Sequence, residues 1–162
     1  MERLWTPWRF AYVTGEAPKS CVLCDKWSSD QDRDNLVLLR GDHAFILMNL
    51  FPYNPGHLMI APVAHCATLP ALDPATRAEI VELASLATDV LSQVMKPNGF
   101  NLGMNLGRSA GAGIADHLHL HVVPRWEGDT NFMPLLANTR VLPETLSQTY
   151  DKLRPVFEAA RR

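Results

Sequence analysis

The sequence predicts an α+β domain in which a five-stranded antiparallel sheet carries two helices, and three observations predict it. Strand-like runs outnumber helical ones. The front runs are joined by turns too short for the crossovers that parallel strands require. In His117-Leu118-His119-Leu120-His121-Val122-Val123, polar and aliphatic residues alternate as in a strand with one buried face. At 162 residues, 47% apolar and 20% charged, the chain supports one core and one globular domain.

Met1 to Lys19 carries Trp5 and Trp8 around Pro7, too aromatic for a free tail and too interrupted for a long helix. It reads as an extended arm packed on the domain or on a partner subunit, and with Cys21-Val22-Leu23-Cys24 it makes up segment 1–34. The core, 35–132, opens with strands Asn35 to Arg40 and Ala44 to Asn49, whose connector Gly41-Asp42 signals a hairpin. Pro52-Tyr53-Asn54-Pro55-Gly56 forms a tight loop before a third strand, His57 to Ala61. Asp73-Pro74 supplies an N-cap and a first-turn proline for a helix in which Ile80, Leu83, Ala84, Ala87, Leu91 and Val94 recur at helical spacing. Pro97-Asn98-Gly99 stops it, and it is expected on the sheet face opposite the histidines. Phe100 to Asn105 is the fourth strand, Gly107 to Asp116 a small-residue loop, and His117 to Val123 the fifth strand. Segment 133–162 belongs to the same domain and holds a second helix, about Pro143 to Ala160.

Composition narrows the function classes. A formal net charge of -2 with scattered basic residues excludes a dedicated nucleic-acid binder. No apolar run reaches the roughly 20 residues that span a bilayer, and Met1 to Lys19 has no apolar centre of a signal peptide, so a cytoplasmic protein is expected. In a reducing compartment Cys21-x-x-Cys24 favours metal or redox chemistry over a disulfide.

Three alternating imidazoles sit on one strand face about 6.6 Å apart, too widely spaced for a single ion, so they are expected to divide the labour. An ordinary imidazole, with a pKa near about 6.5, is largely neutral at pH 7 and can attack an electrophile without a strong base. His119 is thus a candidate nucleophile toward phosphorus, with His121 placed to neutralise or protonate a phosphate oxygen. The adjoining loop Asn105-Leu106-Gly107-Arg108-Ser109-Ala110-Gly111-Ala112-Gly113 lets backbone N–H groups approach an anion, with Arg108 and Ser109 as added donors. Cys21 and Cys24 have zinc-knuckle spacing and need two more ligands, for which His65 and His117 are on offer, although a redox pair or two core thiols fit the spacing too. His57 either joins the site or is a satisfied residue at a strand end.

Asn49, Asn54-Pro55-Gly56-His57, Pro62-x-x-His65, a long helix and the His-x-His-x-His run resemble the histidine triad (HIT) superfamily of nucleotide hydrolases and transferases. The resemblance implies a dimer whose sheets join, with no organic cofactor. It implies His119 as a nucleophile forming a nucleotidyl-histidine, His121 on phosphate, His57 supporting the triad, Asn49 on ribose and Asn105 at the phosphate. The related galactose-1-phosphate uridylyltransferase group implies structural zinc on Cys21, Cys24, His65 and His117. Within the superfamily, Leu4-Trp5-Thr6-Pro7-Trp8-Arg9, Asn49-Leu50-Phe51-Pro52-Tyr53 and Val123-Pro124-Arg125-Trp126-x-Gly128-Asp129-x-Asn131-Phe132 look like bacterial diadenosine tetraphosphate phosphorylases. That implies a dinucleotide substrate, inorganic phosphate as acceptor and Trp126 near the nucleotide, with Ser109, Gly111 and Gly113 lining the phosphate loop. A hydrolase releasing AMP, and a zinc-stabilised nucleotide-binding protein of faded activity, are the other readings. Gly113 motivates the last, because relatives often carry Ser or Gln there.

Overall fold

In the computed structural model, which describes residues 20–129 and 144–160, five strands run antiparallel to every neighbour in the order β1-β2-β3-β5-β4. They are β1 (Val37–Arg40), β2 (Ala44–Met48), β3 (Leu58–Pro62), β4 (Gly99–Met104) and β5 (Leu120–Arg125). The described helices are α1 (Val22–Ser28), α2 (Pro74–Met95) and α3 (Leu146–Ala160), with short 3-10 turns at Leu69–Ala71 and Arg108–Ala110. The tryptophan arm, Asn131-Phe132 and the expected helix start at Pro143 lie outside the described residues.

The α2 start follows from the cap. Asp73 is extended, and its carboxylate accepts the Thr76 amide N–H (2.9 Å) and hydroxyl (2.7 Å), satisfying donors that the first turn leaves open. Lys96 ends the helix in the left-handed conformation at φ 50°. Ile80, Leu83, Ala84, Ala87 and Leu91 are buried against Ile46, Met48, Leu58, Ile60 and Val122 of the sheet and Leu118 just before β5. Each large aliphatic so buried contributes about 1.5–3 kcal/mol. Glu79 then pins the β1–β2 hairpin by accepting the Asp42 and His43 amides at 2.8 and 2.9 Å. Gly41 is demanded there, since a Cβ would fall 2.8 Å from the Ala44 backbone carbonyl and displace the Glu79 carboxylate.

Helix α3 opens on a capping box, with Thr145 and Gln148 exchanging backbone N–H bonds at 2.9 and 3.3 Å. Thr149, Tyr150, Leu153 and Phe157 form its buried stripe, and the Tyr150 hydroxyl donates to the Val37 carbonyl.

The opposite sheet face is covered only in part. Val37, Phe45, Leu47, Met59 and Ala61 pack under Leu23, with Trp27 and Ile114 against them. Leu23 and Trp27 belong to α1, a third helix inside segment 1–34, where the sequence reading placed none. Seven residues with one buried position carry no helical period to recognise. The histidines occupy this face, as expected from α2 lying on the other. His121 pairs with Met59, while Leu120 and Val122 point to α2.

The fifth strand begins later than its alternation implies. Leu118 N–H donates to the Cys66 carbonyl (2.7 Å), so His117 to His119 run along the segment after β3 and join the sheet only at Leu120.

Candidate active site

Backbone groups fix the proton on each histidine. A carbonyl carries no hydrogen, so His119 Nδ1–H must donate to the His117 carbonyl at 2.9 Å, which leaves Nε2 with a bare lone pair. His119 is only 5% exposed, held in the orientation that presents this nitrogen.

His57, at 1% exposure, accepts the Tyr53 backbone N–H on Nδ1 at 3.1 Å. Its proton therefore sits on Nε2, which lies 2.9 Å from His121 Nδ1 and donates to it. His121 in turn carries its own hydrogen on Nε2. The His119 and His121 rings meet edge to face with centroids 4.8 Å apart, closer than the strand spacing alone implies. A ring with a bare nitrogen thus packs against a ring that carries an N–H donor, the pairing needed to attack phosphorus while bonding its oxygen. Asn49 reaches His57 through its side-chain nitrogen (3.4 Å), and its Oδ1 accepts Phe51 N–H.

Burial, and after it the His119 ring, push the His121 pKa from 6.5 down to about 4. Between these values the unfolded chain binds a proton that the folded site refuses, so stability rises with pH across that window. The contribution is complete above pH 6.5 and lost as pH falls to about 4. The urea midpoint is expected to drop between pH 7 and 4.5, and His121→Asn to flatten part of that drop. An identical slope in both proteins would refute the assignment.

His117 is turned away from His119. Fully buried, it donates Nε2–H to the Pro62 carbonyl (2.9 Å), leaving Nδ1 bare toward Cys21 Sγ (3.2 Å) and Cys24 Sγ (3.5 Å). His65 Nδ1 approaches Cys24 Sγ at 3.4 Å, and the four ligand atoms lie within 4.8 Å of one another. They form a group able to hold a metal ion. Burial, then the Cys21 thiol, raise the Cys24 pKa, a cost that a cation among the sulfurs removes.

The remaining expected residues fall on β4, on the loop after it and beyond β5. Asn105 is half-buried one residue beyond Met104, which pairs with Leu120. Ser109, Gly111 and Gly113 are exposed along the following loop. Trp126 stands at the far end of β5, seven residues and about 23 Å along the chain from His119, so within one chain it is not brought to the triad.

Sequence reasoning missed the supports. Tyr53 acts through its amide, which any residue type supplies, and its ring lies 4.8 Å from that of His57. Gly56, at φ 74°, lets the loop turn where a Cβ would meet Met95 Sδ at 2.6 Å. Asp129 ties Arg125, Trp126 and Asn54 together, and in the sequence it stood only within the Val123 to Phe132 run, with no role attached.

The HIT domain family model matches residues 30–128. A protein from Mycobacterium tuberculosis called AP-4-A phosphorylase is 40% identical over 158 residues, covering 92% of this chain and 80% of that protein. Bis(5'-adenosyl)-triphosphatase of Dictyostelium discoideum is 25% identical over 136 residues, covering 78% of this chain and 88% of that one. Among solved structures, a Zn-bound histidine triad family protein from Mycobacterium smegmatis shares the fold with a TM-score of 0.69 at 23% identity, over 87% of this chain and 95% of that one. The triad in its sheet, the helix behind it and the family match over most of the chain together make this protein a member of the HIT domain family.

Proposed function

We propose that this chain is a nucleotidyltransferase that phosphorolyses dinucleoside polyphosphates such as diadenosine tetraphosphate through an adenylyl-His119 intermediate. The single observation carrying the reading is the His119 ring, bare at Nε2, packed edge to face against the His121 ring that bears Nε2–H. His119 Nε2 attacks the α-phosphorus, a P–N bond forms, and the P–O bond to the leaving ATP breaks. His121 Nε2–H bonds a phosphate oxygen and stabilises the charge that develops there. An oxygen of inorganic phosphate then attacks the same phosphorus, the P–N bond breaks, and ADP leaves. Identity to the M. tuberculosis AP-4-A phosphorylase supports phosphate as the acceptor. The bis(5'-adenosyl)-triphosphatase relative favours the second reading, a hydrolase in which water discharges the same intermediate to AMP.

Asn49 holds ribose in this scheme. Asn105 and the loop carrying Ser109, Gly111 and Gly113 bind the polyphosphate with backbone N–H groups in place of a side chain at Gly113. The catalytic unit is 35–132, flanked by the N-terminal arm and the segment bearing α3. Strand β4 at the sheet edge, with Leu102 48% exposed, supports pairing with a second copy, which would carry its own Trp126 into the assembly. No helix among the described residues is long and apolar enough to cross a membrane, and we assign the cytoplasm as the working compartment.

Zinc is the ion that fits Cys21, Cys24, His65 and His117. Bonds of about 2.3 Å to sulfur and 2.0–2.1 Å to nitrogen put tetrahedral ligand atoms about 3.3–3.8 Å apart. The close pairs here stand at 3.2, 3.4 and 3.5 Å, and the Pro62 carbonyl already selects the His117 tautomer that ligates. Four protein ligands leave no position for substrate, so the metal is structural, and it steadies the residue whose carbonyl aims His119.

Incubating the protein with diadenosine tetraphosphate, with and without inorganic phosphate, tests the assignment. ADP plus ATP formed only with phosphate is the expected result. AMP plus ATP without phosphate means hydrolysis, and no turnover of any dinucleotide removes both readings.

A further inference from the structure

Loop 49–57 carries the amide that sets the protonation of two histidines, yet little apolar burial holds its outer half. Leu50, Phe51 and Tyr53 are 54%, 48% and 50% exposed. Polar bonds tether it instead. Asn54 lies at the centre of these, with both hydrogens of its side-chain amide engaged, one on the Pro124 carbonyl (3.0 Å) and one on Asp129 Oδ2 (2.9 Å). Its backbone carbonyl accepts His57 N–H at 3.1 Å.

Asp129 is built to hold that bond. Its side chain is 11% exposed and accepts Arg125 Nε at 2.7 Å, Arg125 Nη2 at 2.8 Å and the Trp126 amide at 3.1 Å besides Asn54. Arg125 also donates to Asn101 Oδ1 on β4, so the carboxylate is anchored to the sheet on one side and to the loop on the other. Charge-assisted bonds of this kind are about twice as strong as neutral ones.

We propose that Asp129, acting through Asn54, is a positioning residue that keeps the Tyr53 amide on His57 Nδ1 and thereby holds the His121 proton on Nε2, facing substrate. The order of bonds is continuous: Asp129 to Asn54, Asn54 to its neighbour Tyr53, Tyr53 N–H to His57 Nδ1, His57 Nε2–H to His121 Nδ1. Once the Tyr53 amide withdraws, the longer Asn49 Nδ2 contact at 3.4 Å is left on His57 Nδ1, so that nitrogen can take the proton, and Nε2 then becomes an acceptor. His121 must answer with Nδ1–H, and its Nε2 loses the hydrogen offered to phosphate. Asp129 touches neither the triad nor the reacting atoms. The kinetic half rests on the function proposed above, whereas the tautomer half does not.

The test is long-range proton–nitrogen NMR on histidine-labelled protein, which reports which ring nitrogen bears hydrogen, run beside kinetics on diadenosine tetraphosphate. Wild type is expected to show His57 and His121 as Nε2–H tautomers. Asp129→Ala and Asn54→Ala are expected to give mixtures at both rings and to lower kcat about 10- to 100-fold with KM within about twofold. That is short of the roughly 10⁴ lost when a catalytic imidazole is wholly in the wrong tautomer. Asp129→Asn, which keeps an acceptor for Asn54, is expected to recover most of the tautomer population and the rate. Asn54→Ala leaves the Arg125–Asp129 pair in place and decides the matter if Asp129→Ala does not fold. Unchanged tautomers in either folded alanine variant overturn the proposal. Shifted tautomers in a protein that turns over no dinucleotide uphold the positioning role and refute only the assigned reaction.

Discussion

His119→Ala is expected to lower turnover of diadenosine tetraphosphate on the order of 10⁴- to 10⁶-fold, the scale on which removing a covalent nucleophile acts. The reason lies in where the other protons are. His121 Nε2 carries hydrogen by virtue of His57, His57 is bonded at both ring nitrogens, and His117 spends Nε2 on Pro62 and turns Nδ1 to the cysteines. Of the triad's lone pairs, that of His119 Nε2 is neither accepting from His57, as His121 Nδ1 does, nor turned to the cysteines, as His117 Nδ1 is, so a neighbour could replace it only by giving up a contact already made. Quenching wild type in mid-turnover with substrate labelled at the α-phosphate is expected to leave label on the protein, and the alanine variant to carry none. The ring is buried and bonded to the His117 carbonyl, so the substitution is expected to lower the thermal midpoint too, and turnover is compared at a temperature where both proteins are folded. A rate within tenfold of wild type, or label retained on the variant, would transfer the nucleophile's role to another residue.

Cys21→Ser and Cys24→Ser are expected to lose bound zinc and to lower stability by about 3 kcal/mol or more, because metal binding energy is folding energy when the unfolded chain has no site. In a chain of this size that is a fall of about 10 °C in thermal midpoint. The site joins elements distant in sequence. The cysteines at the start of α1, His65 after β3 and His117 before β5 are separated by as many as 96 residues, and the same His117 offers its carbonyl to His119. Slower turnover is therefore expected to accompany the loss of metal. Elemental analysis and thermal unfolding of the purified proteins check both effects. Wild type without metal, with variants as stable as itself, would remove the assignment.

The legible parts of the chain are those whose cause is local. Asp73-Pro74 marked the start of α2 because a cap acts within one turn, and Thr76 bonds it as expected. Gly41-Asp42 marked the hairpin, though its Glu79 clasp comes from a helix 37 residues on. Alternation put the histidines and leucines of 117–121 on opposite faces, but it misplaced the strand start, since the Cys66 carbonyl takes the Leu118 amide before the ladder can. Helix α1 escaped notice because its stability comes from Leu23 and Trp27 packing on β-sheet residues, not from any period of its own.

By itself the sequence determined which residue types stand where: three imidazoles in alternation, a cysteine pair, small residues before them and one amphipathic helix behind. Periodicity and capping act over a few residues and leave their mark in the local order of the chain. Only the tertiary structure decided which nitrogen of each imidazole meets a donor or an acceptor, because a ring's tautomer depends on which carbonyl or amide meets it. Those partners, Pro62 for His117, Tyr53 for His57 and Asp129 by way of Asn54, arrive from other strands and loops and contribute through backbone atoms or single bonds that no residue pattern records.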